Sequence, residues 1–450
     1  MADHPARTRL LLLLGALGAL SLTGACGGDK GKEGVKKSDK EGKATKVEAS
    51  KVEAPAEVAY VPVQEALDGP AEPAIVLSQA WFMTGANGKP KPGPARLQIW
   101  RQGAAGWKAT RLEDGDSNVF HKALFHDGGI LTIAGEKAIL KKWQFADGAW
   151  KQDKLWEKSW GGKFNRLRDL EIGDVDGDGK DEWVMATHDG GVIAVYNPPD
   201  APGGAPEVIE LDAKKDTFVH EIEIGDIDGD GKKEFFATPS DRNSSSASQP
   251  GFVVMYRWDG TTYKRTVVDG EEGNTHAKEV LVNDLDGDGK AEFFSVQEAE
   301  IDSNKAIVKP VEIRQYHFDD GKFTHTVVGT IADRQTRFLV AGDFDGDGKK
   351  ELVAAAMKTG LYHIVWTAGA KGQPWTWAQT NFDANSGGFE HTTAPFDMDG
   401  DGKPELYVAA DDQRELKKYV WNAEKKNFDK ELLGKLEAQT FTWNIDAGKL

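Results

Sequence analysis

The chain reads as an all-β protein: a seven-bladed β-propeller of four-stranded blades, closed by its C-terminal strand completing the first blade. Three observations in its 450 residues predict this. A nine-residue phrase recurs five times, as "DVDGDGKDE" (174–182), "DIDGDGKKE" (226–234), "DLDGDGKAE" (284–292), "DFDGDGKKE" (343–351) and "DMDGDGKPE" (397–405), at steps of 52, 58, 59 and 54 residues. Self-similarity at a fixed long period marks a repeat architecture. Each copy is also flanked by short β-rich runs, "DLEIG" before and "WVMAT" after the first, "FLVAG" and "LVAAA" around the fourth. Such runs of about five residues are too short for helices. Finally, the beginning and the end of the repeat region each hold part of a unit that the other lacks.

In chain order, residues 7–26, "RTRLLLLLGALGALSLTGAC", place arginines before an apolar run that ends in small residues and the single cysteine, Cys26. This is the layout of a secretory signal. Leu22, Thr23, Gly24 and Ala25 ahead of Cys26 resemble the lipobox of bacterial lipoproteins, with threonine where leucine is commoner. The resemblance implies cleavage after residue 25 and lipidation of Cys26. The alternative is an ordinary signal cut near Ala25. The apolar run is shorter than the roughly 20 residues a membrane-spanning helix needs. With one cysteine there is no intramolecular disulfide. Residues 27–58 mix Lys, Glu, Gly and Ala without aromatics and cannot bury enough apolar surface to offset their ordering entropy. The expected division is therefore a signal peptide over 1–25, a lipidated cysteine and flexible tether over 26–72, and a propeller over 73–450.

Within the propeller region, "AIVLSQAWFMTG" (74–85) and "ARLQIWRQGAAGWKATRL" (95–112) supply the second, third and fourth strands of a blade that has no first strand. The next unit, 123–156, has the strand rhythm, but its loop has shrunk to "HDGG". Five units carrying the acidic phrase follow, each with further strands such as "GFVVMYRWDG" and "YKRTVV" in the second of them. Four short strands per unit at a period above fifty residues point to propeller blades. The last residues, "FTWNIDAGKL" (441–450), form a first strand with nothing after it, and completing the first blade with it would remove an open edge. The length agrees, since the 378 residues from 73 to 450 give 54 per blade over seven blades.

The acidic phrase is a cation loop. Hard cations such as Ca²⁺ take six to eight oxygen ligands. The phrase offers carboxylates at positions one, three, five and nine, with a lysine carbonyl at seven. The sets are Asp174, Asp176, Asp178, Lys180 and Glu182; Asp226, Asp228, Asp230, Lys232 and Glu234; Asp284, Asp286, Asp288, Lys290 and Glu292; Asp343, Asp345, Asp347, Lys349 and Glu351; and Asp397, Asp399, Asp401, Lys403 and Glu405. The lysine side chains are expected to point to solvent. An EF-hand closes at position twelve between helices, which excludes that reading. Four carboxylates in one short loop repel each other unless a cation or protons neutralise them. About five Ca²⁺ per chain are expected, and Mg²⁺ is disfavoured because it resists dehydration. The loops resemble the FG-GAP/VCBS-type repeats, whose best-known relatives are the seven-bladed heads of integrin α subunits. That resemblance implies calcium in a nine-residue hairpin loop. It departs in closing on glutamate and in losing the loop from the first two blades. The family holds adhesins, binding proteins, lipases and polysaccharide lyases, so it settles the fold better than the function.

Six residues before each first aspartate stands Arg168, His220, Lys278, Arg337 or His391, and the same count from Asp127 reaches His121. The rough alignment puts Phe441 at the matching place in the C-terminal strand. A strand of six residues spans about 20 Å, so this ring is expected near the channel mouth opposite the calcium loops. It serves either as an anion-binding funnel or as one half of inter-blade ion pairs with Asp169, Glu221, Glu223 and Glu279. The loops at 241–250 and 298–310 are expected to project from the same face and to touch a partner. No nucleophile elbow, zinc-protease motif or phosphate loop occurs. Most of the formal charge of −17 sits in the acidic phrases, which argues against nucleic acid. The expectation is a monomeric, lipid-anchored module on the outer membrane or surface of a bacterial envelope. It would bind a protein or an acidic polysaccharide and touch the membrane through its lipid alone. A polysaccharide lyase or hydrolase on the same scaffold is the alternative.

Overall fold

The computed structural model describes residues 60–67, 73–85, 88–161, 165–188, 190–201, 203–214, 217–241, 248–270, 276–369 and 374–450. The signal, Cys26, nearly all of the tether and the centre of the 241–250 loop lie outside the described residues. Residues 62–83 and 91–450 form one compact body.

That body is a ring of seven antiparallel sheets, each a meander from an inner to an outer strand. Blade 2 runs through Phe120–Phe125, Ile130–Ala134, Ala138–Ala146 and Ala149–Lys158. Blade 3 runs through Leu167–Gly173, Glu182–Thr187, Ile193–Asn197 and Glu207–Leu211. Blade 4 comprises Thr217–Gly225, Glu234–Asp241, Val253–Trp258 and Tyr263–Asp269. Blade 5 comprises Ala277–Asn283, Glu292–Gln297, Val311–Asp319 and Lys322–Ile331, with a small hairpin, Glu300–Ile301 and Ile307–Lys309, between its middle strands. Blade 6 has Thr336–Gly342, Glu351–Ala356, Gly360–Thr367 and Thr376–Asp383, and blade 7 has Thr393–Phe396, Glu405–Ala410, Glu415–Asn422 and Asn427–Lys435. Blade 1 is completed as expected. Its inner strand is the C-terminal Thr440–Lys449, which pairs antiparallel with Pro73–Thr84 from Pro73↔Lys449 to Trp81↔Thr440, and Ala95–Gly103 and Gly106–Asp114 follow outward.

The second strand of each acidic-loop blade is buried along nearly its whole length, and along all of it in Glu182–Thr187, Glu351–Ala356 and Glu405–Ala410. Alternate residues serve two interfaces: Val184 and Ala186 pack toward blade 4, while Trp183 and Met185 pack toward blade 2. A strand covered on both faces reads as a continuous apolar run, which is why "LVAAA" and "LYVAA" lack polar alternation. Among the described residues, seven hydrophobic clusters correspond one to each junction between neighbouring blades. The cluster joining blade 7 to blade 1 unites Tyr407 and Leu416 with Ile75, Leu77 and Ile445.

Two details differ from the composition-based division. Residues assigned to the tether pack on blade 1: Glu65 accepts from the Arg111 backbone N–H at 2.8 Å and from its guanidinium at 2.7 Å. The Trp150 indole also donates to the Glu65 carbonyl at 2.9 Å. In blade 2 the shortened loop is a two-residue hairpin turn, with Asp127 at φ 46° and Gly128 at φ 66°. Both central residues lie in the left-handed region that such a turn needs, so no room remains for a cation loop.

Candidate metal centres and central channel

Each acidic phrase folds the same way, and the first aspartate organises it. In blade 3, Asp174 accepts from Gly177 N at 2.7 Å through Oδ1 and from Gly179 N at 3.0 Å through Oδ2. Asp176 accepts from Asp178 N at 3.0 Å, and Asp178 accepts from Lys180 N at 2.8 Å. Glu182, the first residue of the next strand, accepts from Val175 N at 2.9 Å through Oε2. Gly177 and Gly179 sit at φ 80° and 88°, where a side chain would be strained. The other four loops repeat this scheme around Asp226, Asp284, Asp343 and Asp397.

The residues present fit a hard divalent cation. In blade 6, carboxylate oxygens of Asp343, Asp345, Asp347 and Glu351 all lie within 4.8 Å of one another. In the other loops three carboxylates converge as closely: Asp174, Asp176 and Glu182; Asp226, Asp228 and Asp230; Asp284, Asp286 and Glu292; and Asp397, Asp399 and Asp401. Burial, and then the neighbouring aspartates, pushes Glu182, Glu234 and Glu292 up to about 7 and Glu351 up to about 8, and moves Glu405 in the same direction. Aspartates crowded around a buried glutamate make a set that ionises fully only beside a positive charge.

A pH prediction follows with a definite sign. A carboxyl raised in the folded state contributes stability that is fully present below its unfolded value, here 4.5, and is lost as pH rises through about 7 to 8. Chelator-treated protein is therefore expected to lose stability across that window, whereas millimolar Ca²⁺ abolishes the loss. Parallel thermal melts between pH 4.5 and 8.5 check it, and equal slopes with and without Ca²⁺ would contradict it.

The loop lysines do not all point to solvent. Lys403 of blade 7 lies over Gly346 in the blade 6 loop and donates to the Asp345 carbonyl at 3.0 Å. Lys290 of blade 5 lies over Gly229 in the blade 4 loop. Backbone bonds also join successive loops, from Ala291 N to Asp226 O at 2.8 Å and from Lys350 N to Leu285 O at 2.9 Å.

At the other end of the inner strands, a register shift recurs. One residue is left unpaired against the second strand at His121, Arg168, Lys278 and Arg337, and blade 4 has two, His220 and Glu221. In blade 1 the extra residue is Trp443, where the sequence alignment suggested Phe441. A β-bulge re-aims the side chain of its extra residue, and the constant six-residue spacing from the loop reflects this repeated bulge. The bulge residues Trp443, His121, Arg168, Glu221, Lys278 and Arg337 line a central channel of about 340 Å³, together with Glu390 from blade 7.

The expected basic ring is thus a mixed one. His220 and His391 do not line the channel. His391 bonds the Ala356 carbonyl at 2.7 Å and Ser386 Oγ at 2.8 Å, and burial lowers it to about 4. His121 Nδ1 meets the Leu167 carbonyl at 2.6 Å, and His220 packs edge-on to His188 and His276. Burial, followed by nearby cations, holds both His121 and His220 far below the usual imidazole range, so they are neutral. The three remaining cations share two acids that sequence reading missed. Arg337 pairs with Glu390 at 2.5 Å and with Glu298 at 3.4 Å, Arg168 lies 3.8 Å from Glu390, and Lys278 lies 3.8 Å from Glu298. Burial lowers Lys278 to about 7. Burial opposes ionisation of Glu298, but Lys278 and Arg337 outweigh it and hold this carboxyl at about 2. The Arg168 guanidinium also stands 5.2 Å from the Trp443 ring centre.

Deeper in the channel lies an acidic tier that joins blades. Lys122 pairs with Asp169 at 2.8 Å and with Glu171. Asp169 accepts from Ile222 N at 2.7 Å, Glu279 from Leu339 N at 3.0 Å, and Asp446 from Phe125 N at 2.8 Å. Glu221, Glu223 and Glu279 are raised well above the usual carboxylate range by burial first and by neighbouring carboxylates second. Arg337→Met, which takes the nearest cation from buried Glu390 and partly buried Glu298 while Arg168 and Lys278 still face them, is expected to cost up to about 3 kcal/mol. Adding Glu390→Gln should recover part of that loss in a denaturant titration, and a neutral single variant would contradict the ion-pair assignment.

Comparison with known proteins agrees with this architecture. A model of the FG-GAP-like repeat family matches residues 174–237, 226–295, 284–354 and 343–408, each match running from one acidic loop past the next. Rhamnogalacturonan exolyase YesX of Bacillus subtilis (strain 168) is 26% identical over 241 residues, 44% of this chain and 39% of that protein. Rhamnogalacturonan endolyase YesW of the same organism is 26% identical over 234 residues, 42% of this chain and 37% of that protein. The match thus spans about two fifths of the length of these curated relatives. Among solved structures, a hypothetical selenium-binding protein from Sulfolobus tokodaii superimposes with TM-score 0.50 at 10% identity, covering 85% of this chain and 95% of that one. The Dos1 propeller gives 0.50 at 9%, covering 83% and 88%. At such identities the likeness is one of fold.

Proposed function

This chain belongs to the FG-GAP-like repeat family, and from that premise we propose that it is a calcium-stabilised propeller serving as an extracytoplasmic binding module for a protein or an acidic glycan. An acidic polysaccharide is the ligand the chemistry favours. One observation carries this reading: a repeated bulge brings Arg168, Lys278 and Arg337 to one tier of the channel, beside the indole of Trp443. This tier sets three cations against two acids, Glu298 and Glu390, and that excess of positive charge suits a uronate carboxylate while Trp443 offers a face to a sugar ring. The names of the curated relatives, which act on a galacturonate-bearing polymer, support the same class of ligand. In the calcium loops, the aspartates and the closing glutamate would hold the ion, which supplies the positive charge that lets all of them ionise together.

Because Lys278 titrates at about 7, affinity for an anionic glycan is expected to weaken as pH rises from 6 to 8. Titration calorimetry with polygalacturonate and rhamnogalacturonan tests this on the chain from residue 26 carrying Cys26→Ser. No binding to either at pH 6, or binding unaffected by Lys278→Met, would sink the channel assignment.

We propose further that Cys26 carries a lipid and holds the propeller at the bacterial envelope. Cys26→Ser is then expected to block lipid attachment, leaving an unprocessed precursor or a form in the aqueous phase of a partition assay, and a variant cleaved normally that still partitions into detergent would overturn the anchor.

A second reading is a lyase. A lysine at about 7 beside two guanidiniums can take the proton next to a uronate carboxylate while the bond to the leaving sugar breaks, a double bond forms and the departing oxygen takes a proton from water. New absorbance from unsaturated sugar ends would select it, and binding without such ends selects the module.

A further inference from the structure

We propose that the five loops are not equivalent, and that Arg257 makes the blade 4 loop a distinct, weak calcium site. The inference rests on the reading of the loops as calcium sites and concerns which of them fills last. In blade 4, Arg257 Nε lies 2.8 Å from Glu234 Oε1 and Nη2 lies 2.6 Å from Asp228 Oδ2, so a guanidinium bridges the third and ninth loop positions. The pairings Phe235↔Tyr256, Trp183↔Tyr196, Phe293↔Tyr316, Leu352↔Ile364 and Leu406↔Tyr419 put Arg257 in register with Glu234. The same place beside the closing glutamate holds Asn197, His317, Val365 and Val420 in blades 3, 5, 6 and 7. Among the described residues, no other closing glutamate forms an ion pair. The guanidinium is braced from the next blade by Phe318, whose ring centre lies 5.7 Å away.

The consequence is electrostatic. Calcium affinity is tuned by the number of ligand charges and the rigidity of the site. Arg257 removes one unit of negative charge from the set and occupies one oxygen of Glu234, so an incoming cation must displace it. The same pair gives this loop a counter-charge when metal is scarce, keeping the blade 4 side of the loop-to-loop bond from Ala291 N to Asp226 O in place.

Calcium titration of the whole chain, read by calorimetry and by metal analysis after dialysis, tests the assignment. The wild type is expected to show four tighter sites and one at least about tenfold weaker, the scale on which ligand charge tunes such loops. Arg257→Val, the residue found in blades 6 and 7, should bring the weak site into the tight class. Asp230→Asn in the unaltered background should abolish only the weak class, whereas Asp288→Asn should remove one tight site, so the result does not depend on one variant folding. Five equivalent sites in the wild type, or loss of a tight site on Asp230→Asn, would overturn the role of Arg257 while leaving the calcium loops standing. Absence of any bound calcium would sink the loop reading and this inference together.

Discussion

Removing calcium is expected to lower the thermal midpoint by roughly 10 °C, and restoring Ca²⁺, but not Mg²⁺, should return it. Extracellular calcium modules bind at about 10⁻⁴–10⁻³ M. With free Ca²⁺ at ten times the dissociation constant, each site adds about 1.4 kcal/mol if the unfolded chain does not bind. Five such sites contribute about 7 kcal/mol, comparable to the whole stability of many domains. With an unfolding entropy of about 2.1 cal/mol/K per residue, residues 73–450 shift by about 1.3 °C per kcal/mol, so the sum amounts to roughly 10 °C. The structure locates the effect: every loop joins the inner strand of its blade to a largely buried second strand, as Asp174–Lys180 joins Leu167–Gly173 to Glu182–Thr187. Repulsion within the loop therefore acts on a strand packed against two neighbours. Metal analysis at millimolar Ca²⁺ accompanies the melts. Fewer than three bound ions per chain, with a midpoint indifferent to chelation, would refute the assignment.

Deleting residues 440–450 is expected to be at least as damaging, and for a topological reason. These residues are the inner strand of blade 1, paired from Thr440 to Lys449 with a strand that lies more than 350 positions earlier. The segment brings buried Ile445 into the junction between blades 7 and 1. Its Thr442 donates to Asp411 through N at 2.8 Å and Oγ1 at 2.9 Å, and Gln79 donates to Thr442 Oγ1 at 3.2 Å. Truncation strands the buried Asp411, opens the apolar junction and exposes an unpaired edge that other chains can add to. The sum is on the order of the stability of an entire domain, so the truncated chain should lose its cooperative transition and aggregate. Equal thermal midpoints for the full-length and truncated proteins would show that the ring does not depend on this closure.

Much of this protein was legible before any coordinates, and the reason is distance along the chain. The ligand set of each loop lies within nine residues, so the alternation of aspartates, the glycines at φ near 80° and the closing glutamate are local consequences of "DVDGDGKDE". Four short strands per repeat and a spacing near 54 residues implied seven blades, because 378 residues hold seven such units. The complementary orphans at 73–112 and 441–450 implied the closure because an open edge is costly. All of these follow from covalent neighbours or from one-dimensional periodicity.

What only the tertiary structure decided is where side chains point and what they meet. Direction alternates with every strand residue, so a single bulge flips it; counting six residues back therefore found Arg168, Lys278 and Arg337 but took His391 for Glu390 and Phe441 for Trp443. Protonation was likewise out of reach: His121 and His391 are neutral because neighbouring blades bury them against backbone carbonyls. The counter-ions of Arg337, Glu298 and Glu390, stand 39 and 53 positions away in adjacent blades, and Arg257 reaches its loop from across the sheet, 29 positions from Asp228. Charge balance is set by desolvation and through-space neighbours, and those exist only once the ring has closed.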